Sequence, residues 1–124
     1  MIEQFLDGLK YDKDGLIPGV VQDADNGDVL MVAYMNKDAV RETLTSGRAC
    51  FWSRSRQTFW IKGETSGNIQ KVKEVYVDCD KDCFVIKVEQ TGAACHEGYR
   101  SCFFRKVDSE GNTTIVLKKL MDSY

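Results

Sequence analysis

The chain predicts an α+β fold: mainly antiparallel β-sheet with a few short helices, in a single domain spanning residues 1–124. Three observations carry that expectation. Short runs rich in Val, Ile, Phe and Trp recur between polar, glycine-bearing turns, which is how strands read. Only two stretches keep apolar residues at helical spacing. A length of 124 residues, 43% of them hydrophobic, suffices for one core without disulfide staples and leaves little room for a second.

The elements follow in order. Ile2, Phe5, Leu6 and Leu9 fall at i, i+3, i+4 and i+7, one face of a short helix. From Val20 the pattern turns to strand, and Val20-Val21-Gln22 runs into Asp25-Asn26-Gly27-Asp28, where Asn-Gly signals a hairpin. The return strand is Val29 to Met35. Asn36 then caps a helix from Lys37 to Ser46 that Gly47 stops, with Val40 and Leu44 facing inward. Ala49 to Ser53 and Thr58 to Lys62 are aromatic-rich strands around the basic stretch Arg54-Ser55-Arg56-Gln57. Gly63 to Asn68 is a polar loop. Val72, Val75 and Val77 belong to a strand leading into Asp78, and Phe84 to Val88 form another. Phe103 to Val107 and Thr114 to Leu117 are expected to close the sheet.

Charge and composition exclude several classes. Lys plus Arg number 17 against 19 Asp plus Glu, a net charge of −2, which argues against affinity earned by neutralising a nucleic-acid backbone. The longest wholly apolar run, Val29 to Ala33, is too short to span a membrane. Glu3, Asp7, Asp12 and Asp14 occupy the start of the chain, where a signal peptide would carry an apolar block. The expectation is a soluble, cytoplasmic protein with no nucleic-acid or membrane partner. Five cysteines, an odd count without a secretion signal, point to free thiols. Because His96 is the only histidine, any zinc site must lean on thiolates.

Three clusters carry chemistry. The first is Asp78-Cys79-Asp80-Lys81-Asp82-Cys83. If extended, it places Asp78, Asp80 and Asp82 on one face, a set of hard oxygen ligands for magnesium or calcium, and Cys79 on the other, a soft ligand for zinc. The alternative is a polar turn between strands. An EF-hand is rejected, since Cys83 stands where its loop requires glycine. The second cluster runs from Gly92 to Cys102. With Cys79, the thiols of Cys95 and Cys102 would give three zinc ligands and leave the fourth position open, as a catalytic zinc needs; alternatively these cysteines are small buried hydrophobes. Cys50 and Cys83 flank strands and are assigned to the core. His96 is either a fourth ligand or a proton shuttle, and Glu64 and Glu97 are further candidates for proton transfer. The third cluster is Phe51 to Lys62, where Arg54 and Arg56 suit phosphate and the aromatics suit a base. A small nucleotide fits the charge balance better than a polymer does; aromatic core residues alternating with solvated arginines are the plainer alternative.

Taken together, Phe51-Trp52-Ser53-Arg54-Ser55-Arg56-Gln57, Lys62-Gly63-Glu64-Thr65-Ser66-Gly67-Asn68, Asp78-Cys79-Asp80-Lys81-Asp82 and Ala94-Cys95-His96-Glu97-Gly98 through Ser101-Cys102-Phe103 resemble the phosphoribosyl-AMP cyclohydrolase family of histidine biosynthesis. Each motif alone is weak, and four in order are specific. The segment Val29 to Asn36 is also similar to the family, and the likeness spans roughly Gly15 to Val107. The glutamate at position 97 departs from the threonine more usual there.

The resemblance implies hydrolysis of the N1–C6 bond of the adenine ring in 1-(5-phosphoribosyl)-AMP, the third step of the pathway. It implies zinc held by Cys79, Cys95 and Cys102, magnesium held by Asp78, Asp80 and Asp82, and a homodimer whose zinc ligands come from both subunits. Substitution at N1 makes C6 amidine-like and electrophilic, so water activated by zinc could attack it. His96 is assigned proton delivery to N1. Arg54, Arg56, Lys62, Glu64 and Ser66 are assigned to substrate binding. Seventeen residues follow Val107, too few for a fused second enzyme, so a monofunctional chain is expected. Two rivals are a structural zinc module, which would need His96 or Cys83 as fourth ligand, and a single-stranded RNA binder using Trp52, Phe59 and Trp60.

Overall fold

The computed structural model describes residues Met1–Tyr124. The first helix, α1 (Ile2–Asp7), buries only part of the stripe the sequence suggests. Leu6 and Leu9 enter the core, whereas Ile2 and Phe5 remain more than a third exposed. Strands β1 (Ile17–Asp23) and β2 (Val29–Met35) then form the expected hairpin. In its turn Gly27 takes φ of +81°, and Asp23 Oδ1 accepts the backbone N–H groups of Asp25 and Asn26.

Helix α2 spans Lys37–Ser46 with both predicted ends in place. The Asn36 side chain accepts the Ala39 N–H at 2.8 Å, and Gly47 leaves the helix at φ +73°. Val40 is buried as expected and Leu44 is half-buried against the core. Thr43, unnoticed in the sequence, is buried too. Its hydroxyl donates to Ala39 O and accepts the Cys50 N–H, joining the helix to the strand that follows.

Strands β3 (Cys50–Ser53) and β4 (Thr58–Ile61) pair as a separate two-stranded ribbon. Strands β5 (Gln70–Val77) and β6 (Phe84–Gln90) form an antiparallel hairpin that completes the main sheet, in order β2-β1-β6-β5. The ladders between sequence neighbours are antiparallel, as predicted. The central β1·β6 ladder is parallel, from Gly19↔Phe84 to Asp23↔Val88. Local hairpin signals say nothing of this pairing. The two strands bury alternate residues on the same face of the sheet: Ile17, Val21 and Asp23 from β1, Phe84, Ile86 and Val88 from β6. Gly19 lies at the contact, where a Cβ would come within 3.1 Å of Ile86 Cδ1.

A second correction concerns the end of the chain. Strands β7 (Arg105–Val107) and β8 (Thr113–Ile115) do not close the sheet; they pair only with each other, and every residue in them is exposed. Three-residue strands carrying Arg105, Lys106, Thr113 and Thr114 offer no continuous apolar face to bury. The residue that anchors this region is Phe104, stacked on Tyr99 with centroids 3.7 Å apart, while Phe103 is 56% exposed.

One cluster of 16 buried residues forms the core between the sheet, α1, α2 and β3. Phe51, Phe84, Leu6, Ile17 and Leu30 are its largest fully buried members, each contributing about 2–3 kcal/mol through apolar burial. Cys50 is buried there, but Cys83 is only half-buried, a correction to its core assignment: it closes the exposed β5–β6 turn. No helix is long and apolar enough to cross a membrane.

Candidate active site

The basic ribbon β3–β4, the polar loop after it and the Cys95–Gly98 turn converge on one cleft. It has two lobes, of about 970 and 560 Å³, that meet at Arg56, Trp60 and His96. These volumes suit a small ligand. The larger lobe runs past Tyr34, Trp52 and Arg54, and the Arg54 guanidinium lies 4.1 Å from the Tyr34 ring centre. The smaller lobe is walled by Lys62, Glu64 and Ser66. All of the sequence-predicted substrate residues therefore line it, and His96, exposed, sits where the lobes join.

Local structure explains the walls. At Gly63 (φ +82°) a Cβ would come within 2.5 Å of the Asn68 and Ile69 backbone, so only glycine lets the loop close this tightly beneath the cleft. Lys62, just before it, is 6% exposed. Its Nζ donates to Ala94 O at 2.7 Å and to the Tyr124 hydroxyl at 3.0 Å. Burial holds this ammonium below the usual lysine range, and the Cys102 and Cys95 thiols nearby act in the opposite direction.

The Cys95–Cys102 loop brings its two thiols side by side. Cys95 is buried, whereas Cys102 is exposed as a residue although its thiol is partly desolvated. That desolvation first, then the adjoining Cys95 thiol, pushes the Cys102 thiol up to about 12. A coordinated cation would reverse this, since a coordinating thiol loses its proton. Arg100 anchors the loop from behind. It donates to Gln90 O and Gly92 O, and bridges to buried Asp23 at 2.6 Å.

Cys79 is not part of this cluster within one chain. It is exposed on the β5–β6 turn and forms no three-residue ligand group with Cys95 and Cys102. The turn itself differs from the extended segment considered from the sequence. Lys81 takes φ +62°, the Asp78 N–H donates to Cys83 O, and Asp78 Oδ1 accepts the Asp82 N–H. The plainer alternative, a polar turn, is the correct geometry. It still gathers Asp78, Asp80 and Asp82, whose carboxylate oxygens lie within 4.8 Å of one another. Hydrogen bonding to Asp80 and Asp78 pushes the Asp82 carboxyl up to about 6, while the backbone N–H of Asp82 holds Asp78 below its usual range.

Two contributors escaped the sequence. Tyr34 lies on a strand read for its apolar pattern and for its likeness to the family, with no role given to its ring. Tyr124 reaches the cleft from the far end of the chain, and nothing in the sequence marks it.

Comparison with known proteins places these residues in context. A family model for phosphoribosyl-AMP cyclohydrolase matches residues 31–104. The phosphoribosyl-AMP cyclohydrolase of Pelotomaculum thermopropionicum is 58% identical over 117 residues, covering 94% of this chain and 91% of its own. That of Paracoccus denitrificans is 55% identical over 109 residues, 88% of this chain and 89% of its own. That of Chloroherpeton thalassium is 48% identical over 118 residues, 95% and 84% respectively. The candidate residues from Arg54 to Cys102 all fall inside the family match, and Tyr124 lies outside it.

Proposed function

The chain belongs to the phosphoribosyl-AMP cyclohydrolase family, and on that premise we propose that it hydrolyses the N1–C6 bond of 1-(5-phosphoribosyl)-AMP as one cytoplasmic catalytic unit spanning 1–124. The observation that carries this is the two-lobed cleft, lined by phosphate-suited arginines, two tryptophans, the one histidine and a buried lysine that has the Cys95 and Cys102 thiols near it. Arg54 and Arg56 take the substrate phosphates, with guanidinium forks suited to bidentate contact. Trp52 and Trp60 flank the base. Lys62, Glu64 and Ser66 hold the nucleotide in the smaller lobe. Water adds at C6, the C6–N1 bond breaks, and N1 keeps the electron pair that a proton from the His96 side chain then occupies.

The donor sets fit the two metals that the family resemblance implies. Asp78, Asp80 and Asp82 would hold magnesium, three hard oxygen donors already close enough to share one ion. Cys95 and Cys102 would hold zinc from one subunit, and exposed Cys79 of a second copy would complete the set. When bound, zinc supplies Lewis acidity that activates water near neutral pH, and magnesium neutralises phosphate charge. A homodimer also accounts for the apolar residues left in the open along the last hairpin and tail, among them Val107, Ile115, Val116 and Leu120, each more than half exposed.

The test is a spectrophotometric turnover assay with phosphoribosyl-AMP on zinc-loaded protein in magnesium buffer, beside its Cys95→Ser variant. Turnover by the parent with a loss of about a hundredfold or more in the variant is expected. A folded, metal-loaded parent that leaves the substrate intact overturns the proposal.

A further inference from the structure

The last residues of the chain fold back across the candidate active site. Leu120 N–H donates to Gly98 O at 2.8 Å and Tyr124 N–H to His96 O at 2.7 Å, so the segment is tied at both ends to the Cys95–Gly98 turn. The fit is close: at Gly98 (φ +95°) a Cβ would stand 2.0 Å from Met121 O. From this strap the Tyr124 ring reaches into the smaller lobe. Its hydroxyl donates to Ala93 O at 2.7 Å and accepts from Lys62 Nζ at 3.0 Å. Asn68 is buried beside the same phenol.

The geometry at Lys62 gives the phenol a purpose. An ammonium has three tetrahedral N–H donors and no acceptor. With Ala94 O as its sole acceptor, the group would turn freely about that bond. A second acceptor, the Tyr124 hydroxyl, stops the rotation and fixes the direction of the third N–H, which has no partner in the chain and belongs to a side chain on the cleft wall. A donor whose direction is set before the reaction counts most where charge develops in the transition state.

We propose that Tyr124 is a positioning residue: its hydroxyl locks the Lys62 ammonium so that one N–H is held toward the bound nucleotide. The residue does not touch the reacting atoms; it acts through Lys62. This rests on the cleft being the substrate site.

The test compares Tyr124→Phe and Tyr124→Ala with the parent, all metal-loaded, by steady-state kinetics, thermal unfolding and lysine acylation. Brief acetic anhydride treatment followed by peptide mass mapping reads how readily each lysine presents an unprotonated, unblocked amine, which a hydroxyl held against the nitrogen suppresses. In Tyr124→Phe, kcat falls by about tenfold with KM within about threefold and an unchanged unfolding midpoint, because only the lock is lost. Lys62 acylation rises in Tyr124→Phe and further in Tyr124→Ala, with the other lysines constant. An unchanged kcat in Tyr124→Phe overturns the proposal. So does a loss of kcat that tracks a lowered unfolding midpoint with Lys62 acylation unaltered, which would make the strap structural only. A parent without turnover would sink the cyclohydrolase assignment instead, and the acylation arm would still decide whether Tyr124 restrains Lys62.

Discussion

Asp23 shows how much one carboxylate can hold. It is buried at the end of β1, accepts two backbone N–H groups of its own turn, and pairs with Arg100 of the thiol-bearing loop. Burial alone would raise its pKa; the Arg100 guanidinium and the amides outweigh burial and hold the carboxyl below the usual range. The unfolded chain therefore binds the proton more readily. The stabilisation is full above the unfolded value of about 3.9 and is lost as pH falls through the lower folded value. Asp23→Ala should destabilise the protein by about 2–3 kcal/mol at pH 7 in urea unfolding, leaving Arg100 without its partner, and the gap to the parent should narrow below about pH 4. At the same scale, Arg56→Ala should raise KM by about tenfold with a smaller change in kcat, since Arg56 borders both lobes. Residue types and motif order were enough to pick out Arg54, Arg56, Lys62, Glu64, Ser66 and His96, and these converge in space. Tyr124 was illegible because its bond to Lys62 joins residues 62 positions apart with no periodicity to announce it.

Elements were readable where their signals are local. Asn36 and Gly47 delimit α2 through a side-chain cap and a left-handed exit, both set by the residues themselves. Asn36→Ala should lower stability by about 1 kcal/mol in chemical denaturation, with the cleft unaffected. The sequence was ambiguous where tertiary context decides. Asp78 to Asp82 could alternate as a strand or bend as a turn, and the bend is what crowds the carboxylates. That crowding has a measurable sign. The Asp82 carboxyl, raised to about 6, keeps its proton in the folded chain at mildly acid pH; its favourable contribution is full below about 3.9 and disappears as pH rises through 6. Magnesium should therefore raise the melting temperature at pH 7.5 and do much less at pH 5, and Asp80→Asn should remove the response. The last hairpin was misjudged for the opposite reason: short apolar runs read as sheet whether or not a sheet is near enough to receive them.

At the scale of the whole molecule, the separation of Cys79 from Cys95 and Cys102 makes shared sites a quantitative matter. If each zinc site draws Cys79 from one subunit and the other two thiols from its partner, Cys79→Ser and Cys95→Ser chains are each inactive alone. Refolded together in equal amounts, half the dimers are mixed and each mixed dimer rebuilds one intact site. Activity should return to about one quarter of the parent's by this symmetry count. Sites assembled within one chain would give no recovery. The parallel β1·β6 pair at the centre of the sheet bears on how the protein comes into being. During synthesis, the β1–β2 hairpin emerges with the inner edge of β1 unpaired, and its partner is not finished until Gln90. At typical elongation rates that edge waits at least ~3 s, with an apolar face and open backbone donors available to neighbouring nascent chains. Chaperone demand should therefore fall on this interval, and ribosome-bound chains stopped before Phe84 should aggregate more readily than chains stopped after Gln90.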